Sequence, residues 1–195
     1  MHKARLEAFS DGVLAIIITI MVLELHAPHE GTLEALKTVA VPFVSYVLSF
    51  IYVGIYWNNH HHMLHAAKIA TGPVLWANLH LLFWLSLFPF VTDWMGASHW
   101  SPLPTAAYGA VLLMAALAYW ILQQTIIRQD GTNSVLQRAV GSDLKGKLSP
   151  LFYLTGIGVS FWQPLISAVL YVAVALVWLV PDRRIERVLA EADHR

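Results

Sequence analysis

Apolar residues gather into six stretches along this chain, each set off from the next by a short run of polar, glycine or proline residues. A bilayer core about 30 Å thick takes roughly 20 residues of helix to cross. The pattern therefore predicts six membrane helices, over about 9–25, 38–57, 74–92, 104–127, 148–162 and 165–180. The fifth and sixth are short and meet at Gln163-Pro164, which predicts a tight helical hairpin. Pro42 and Pro89 fall inside or near the ends of membrane helices, where neighbours can satisfy the backbone groups they release. Between Arg128 and Lys147 the mixture of Arg, Lys, Asp, Gly and Ser predicts a solvated linker, and 181–195 a polar C-terminal tail. No internal repeat is visible, so 1–195 reads as a single domain.

Composition agrees with lipid as the solvent. Charged residues make up 12% of the chain and hydrophobic ones 57%, against about 25% charged in soluble domains. The fold class expected is an all-α integral membrane protein. A formal net charge of zero argues against a nucleic-acid partner. With no cysteine, disulfides, thiolate metal sites and cysteine nucleophiles are excluded. Lys3 and Arg5 resemble the n-region of a signal peptide. Glu7 and Asp11 follow them, however, and no small-residue cleavage site closes the run, so the first helix is expected to stay. Eleven of the twelve Lys and Arg residues fall on the side of the N-terminus and only Lys37 on the other, which predicts both termini in the cytoplasm. Trp57, Trp94, Trp100, Trp162 and Trp178 lie near predicted helix ends, as an interfacial belt would place them.

Ionisable and polar groups inside membrane segments are costly, which makes each a candidate site. Ser10 and Asp11 read equally well as helix N-caps or, for Asp11, as the partner of Arg5 in an ion pair. "YWNNHHHMLH" (56–65) ends the second helix at the same membrane face. His61 and His65 have the i,i+4 spacing of a metal pair, but the glutamate of the zinc-peptidase pattern HExxH is missing. Asn78, at matching depth on the third helix, is placed to join Asp11 and His60 in an interhelical network; Asp93 marks the outer end of that helix. Ile16, Thr19 or Ile20, and Leu23 recur at i, i+3/4 and i+7 and form one stripe of the first helix. Spacing alone leaves that stripe as a packing face.

"RLEAFSDGVLAIIITIMVLEL" (5–25) resembles the first helix of the transmembrane protein 175 family in its bacterial form. The signature is Arg5, three intervening residues, then Phe9, Ser10 and Asp11, with Trp57 and His60 as a Trp-x-x-His further on. The resemblance implies a potassium-permeable cation channel rather than an enzyme, with no cofactor. It also implies a homotetramer in a prokaryotic cell membrane, with the first helix lining a four-fold pore. Ile16 and Leu23 would then form apolar rings, Thr19 a hydroxyl ring, and Ile20 would also face the lumen. Arg5, Phe9, Ser10 and Asp11 would lock the first helix to its neighbours through Trp57, His60 and Asn78.

"LTGIGVSF" (154–161) has a superficial likeness to the glycine-rich carbonyl filter of tetrameric potassium channels. As a re-entrant loop it would leave five crossings and put Arg183, Arg184 and Arg187 outside, against the charge rule. Gly156 and Gly158 are instead expected to be close-packing residues of the fifth helix. Two other readings stand beside the channel: a membrane metalloenzyme using the His60–His65 cluster, and a proton-coupled transporter using Asp11 and His60.

Overall fold

The computed structural model of the chain describes residues 3–67, 69–131, 134–140 and 143–179; the predicted tail lies outside the described residues. The described elements are all helical, in the order α1 (Lys3–Leu23), α2 (Leu33–Thr38), α3 (Ala40–Ala66), α4 (Gly72–Ser86), α5 (Phe88–Ala97), α6 (Pro102–Asp130), α7 (Val135–Val140), α8 (Leu144–Ser160) and α9 (Pro164–Leu179). Four segments are long and apolar enough to cross a membrane: α1, α3, the α4–α5 pair and α6. The predicted hairpin is present, with α8 and α9 packed together across the short turn before Pro164. At 17 and 16 residues these two helices reach only about 24–26 Å.

The first two helices are longer than their apolar runs suggest. α1 starts at Lys3 rather than near Phe9, and α3 runs on through the histidines to Ala66. Intrahelical hydrogen bonds do not require apolar side chains, so a helix continues into its polar flanks where hydropathy stops. Pro89 breaks the third predicted helix into α4 and α5: it lies in the first turn of α5, where its missing N–H interrupts the ladder after Ser86. The segment 128–147 is not the solvated linker its composition suggests. α6 occupies its start and α8 its end, and α7 docks between α3 and α6 with Leu136 and Ser134 each 1% exposed.

Glycines and one tyrosine set the packing of the second half. Tyr171 on α9 fills a slot in which a Cβ on Gly109 of α6 would lie 2.0 Å from its Oη, and a Cβ on Gly156 of α8 2.4 Å from its ring. Gly158, expected to pack closely too, faces open space, because it lies two residues and about 200° around the helix from Gly156. Outward faces carry large apolar residues such as Phe50, Phe83, Phe90 and Val169. Such a surface would aggregate in water and suits a lipid surround.

Candidate functional site

α1 has two faces of opposite character. Leu6, Ser10, Leu14, Ile17 and Met21 recur every three or four residues and are buried against α3, α4 and α5. Opposite them, Ile16 is 58% exposed, Ile20 39% and Leu23 76%, with Thr19 exposed between. The stripe read from the sequence is therefore not a packing face within one chain. Thr19 Oγ1 donates to the carbonyl of Ile16 at 2.8 Å. With its proton held by the helix, the oxygen keeps its lone pairs available as an acceptor.

The buried face of α1 is fastened by a chain of hydrogen bonds in one direction. His60 Nε2 donates to Asn78 Oδ1 (2.6 Å), Asn78 Nδ2 to Ser10 Oγ (3.0 Å), and Ser10 Oγ to the carbonyl of Leu6 (2.9 Å). The amide oxygen of Asn78 only accepts, so His60 carries its proton on Nε2. All three side chains are essentially inaccessible: Ser10 and Asn78 are 0% exposed and His60 1%. α1, α3 and α4 are thus joined at one point. A second contact lies beside it, where Trp57 Nε1 donates to Asp11 Oδ1 at 3.1 Å in an exposed position.

Neither reading that spacing allowed for Ser10 and Asp11 holds. The helix begins at Lys3, so both lie about two turns inside it rather than at its cap. Arg5 and Asp11 form no ion pair, because six residues put them about 120° apart around the helix. Arg5 and Phe9 also stay outside the buried network. Arg5 is exposed with no hydrogen-bond partner among the described residues, and Phe9 is 52% exposed. At i, i+4, i+11 and i+18, Arg5, Phe9, Ile16 and Leu23 share one side of α1.

The histidines divide likewise. His60 points into the network, while His61 stacks on Trp57 and lies 6.2 Å, centroid to centroid, from His65. No group of three His, Asp or Glu side chains among the described residues is placed to hold a metal ion. Asp93 is exposed in the middle of α5 rather than at its end.

Sequence reasoning overlooked a second polar cluster at the other end of the bundle. There Trp100 Nε1 donates to Ser45 Oγ (2.8 Å), Thr92 Oγ1 to Ser49 Oγ (2.7 Å), and Ser49 Oγ meets the hydroxyl of Tyr108 at 2.9 Å. These bonds tie α3 to α5 and α6. Ser45 and Ser49, one turn apart on an apolar helix, were the available signal.

The family model described as "Endosomal/lysosomal potassium channel TMEM175" matches residues 5–89, the part that contains nearly all of α1 together with Trp57, His60 and Asn78. Over 191 residues the chain is 55% identical to a potassium channel of Chryseobacterium sp. (strain P1-3), covering 98% of this chain and 100% of that one. A potassium channel of Streptomyces collinus is 32% identical over 136 residues, 64% of this chain and 66% of its own. The fold matches the crystal structure of a lysosomal potassium-selective channel TMEM175 homolog from Chamaesiphon minutus with a TM-score of 0.79, at 22% identity, over 92% of this chain and 97% of that one. A near full-length relative at 55% identity, and a family signature that coincides with the fastened first helix, show that this chain belongs to the TMEM175 family.

Proposed function

We propose that this chain is the subunit of a potassium-permeable cation channel in which four copies surround a central pore lined by α1. The observation that carries the reading is the uncovered stripe of α1. One side of that helix is buried against its own subunit, while Ile16, Thr19, Ile20 and Leu23 remain exposed on the other. Arrangement of copies around α1 turns that stripe to a lumen. Arg5 and Phe9, exposed on the same side, then belong to contacts at the rim of the assembly.

The chemistry of the stripe suits an ion path. Rings of Ile16 and Leu23 narrow the lumen until water leaves it, a barrier that gates by dewetting. A ring of Thr19 oxygens, each with its proton donated along its own helix, offers acceptors that replace part of the hydration shell of a potassium ion. One such layer gives modest selectivity compared with stacked carbonyl sites. In this assembly α8 and α9 complete six crossings, with both ends in the cytoplasm of a prokaryotic cell; the distribution of Lys and Arg supports that orientation.

Liposomes holding the purified protein should pass potassium in preference to sodium. Because the chain has no cysteine, single cysteines report without background. Cysteine at 16 or 23 should react with thiol reagents and change the current, whereas cysteine at buried Leu14 or Met21 should not. Inert positions 16 and 23 alongside a responsive cysteine at Ile18 or Val22 would refute the pore assignment.

A further inference from the structure

A cavity of about 50 Å³ lies between α3, α6, α8 and α9, and no residue of α1 lines it. At roughly 10–15 Å³ for each water-sized occupant, it takes three or four non-hydrogen atoms. Its walls combine aromatic rings, among them Tyr119, Trp120 and Trp178, with polar side chains that include Gln123, Tyr56 and Asp143. Gln123 is 5% exposed and Tyr56 9%, and neither side chain makes a hydrogen bond with a described residue. Among the described residues the sealed polar atoms without a partner are Thr105 Oγ1 and Asp130 Oδ2, and both Gln123 and Tyr56 line the cavity. The third group is Asp143. Its Oδ1 accepts from the backbone N–H of Gly146 at 3.0 Å, and its carboxylate forms no ion pair with any described residue.

A carboxylate that accepts one hydrogen bond, from Gly146, and an amide and a hydroxyl that make none with described residues leave acceptor positions around a small space. These positions suit an occupant with several donors, and the carboxylate calls for a positive charge. A primary ammonium supplies three N–H donors and one charge, and its carbon stem suits aromatic walls, whose faces attract cations. We infer that this cavity binds a primary ammonium group, held by Asp143, Gln123 and Tyr56 and enclosed by the surrounding rings. Trp120, which lines the cavity, is also 52% exposed on the outer surface of α6. The group can therefore come from a free alkylamine or from a lipid with an ethanolamine head.

Titration calorimetry on the purified full chain in detergent tests this without reference to conduction. Ethylammonium chloride should bind once per chain, and ethanol, of equal size without charge, should not. Tetramethylammonium, which has the charge but no N–H, should bind at least about tenfold more weakly, as the loss of charge-assisted hydrogen bonds requires. Asp143→Asn, which keeps the oxygen that caps α8, and Gln123→Met should each weaken ethylammonium about tenfold, and Tyr56→Phe less. Melting curves of the three variants identify any that fail to fold, and the remaining variants decide the assignment. Equal binding of tetramethylammonium, or affinity unchanged in folded Asp143→Asn and Gln123→Met, overturns it. Repetition in vesicles fixes the source. An ethanolamine-headgroup lipid that displaces ethylammonium, where a choline-headgroup lipid does not, makes the lipid the ligand; indifference to the headgroup makes it the free amine.

Discussion

Asn78 is the middle link of the chain that holds α1, and replacing it with alanine tests whether that chain holds the fold. Asn78→Ala removes the bond from His60 at 2.6 Å and the bond to Ser10 at 3.0 Å. Interhelical hydrogen bonds in membrane proteins are worth roughly 0.6–1.7 kcal/mol each. His60 is 1% exposed, so its ring N–H is left without water as well as without a partner, which costs about 1–3 kcal/mol more. The sum is centred on about 4 kcal/mol, or a fall in melting temperature of roughly 8–16 °C at about 2–4 °C per kcal/mol. Ser10→Ala removes one of the same bonds and should cost about half as much. Because the two residues share a bond, the double variant should be less destabilised than the sum of the singles by about 1 kcal/mol. Unfolding of the purified protein in detergent, followed by tryptophan fluorescence, gives all four values. Additive effects, or a shift below about 1 °C for Asn78→Ala, would show that packing alone positions α1.

The other predictions separate the ion path from the scaffold. Thr19→Val keeps the shape of the side chain but removes the oxygen, and should lower the potassium-to-sodium permeability ratio measured from reversal potentials while leaving stability unchanged. Ile16→Ala widens the apolar ring and should raise the basal flux of potassium through liposomes; an unchanged or lower flux counts against a dewetted barrier at that level. Gly109→Ala forces a Cβ to within 2.0 Å of Tyr171 Oη and 2.9 Å of Ile157 Cγ1, and should cost about 1–3 kcal/mol by overpacking. Gly158→Ala meets open space and should be neutral or up to about 1 kcal/mol stabilising through helix propensity. Equal melting temperatures for the two variants would refute the slot for Tyr171.

The sequence was most legible where a simple period meets a simple solvent. Apolar runs located every principal helix, and Gln163-Pro164 located the hairpin. Helix ends were misplaced by several residues, because hydropathy measures the solvent around a helix and not the hydrogen bonds within it. Leu136 was hidden for the converse reason: a short apolar step inside a polar segment is too brief to give a periodic signal, yet Leu136 is buried where α7 docks. Partners of a polar residue were harder still. Asp11 had a plausible mate six residues away in Arg5, but the chain that supplies its donor, Trp57, lies 46 residues on. Topology brings three helix ends to the same membrane face and so made His60 and Asn78 legible as one network, but it named Asp11 as the member from α1, where the structure has Ser10.

The polar half and the apolar half of α1 act on one another through rotation. Ser10 is held by Asn78 of α4 and Asp11 by Trp57 of α3. Consecutive residues point about 100° apart around a helix. Beyond the packing of its buried face, two bonds in different directions to different helices resist rotation of α1 about its axis more than one bond would. Thr19 lies nine residues from Ser10, about 13.5 Å along the axis at 1.5 Å per residue. Over that distance a hydrogen-bonded helix keeps its phase, so the angle fixed at Ser10 and Asp11 is the angle at which the stripe is presented. A turn by one residue would replace Ile16, Thr19 and Leu23 with Ala15, Ile18 and Val22 and remove the hydroxyl from the exposed side. Polar groups at the start of this helix are costly in lipid, and what they secure is the identity of the side chains displayed two turns further on.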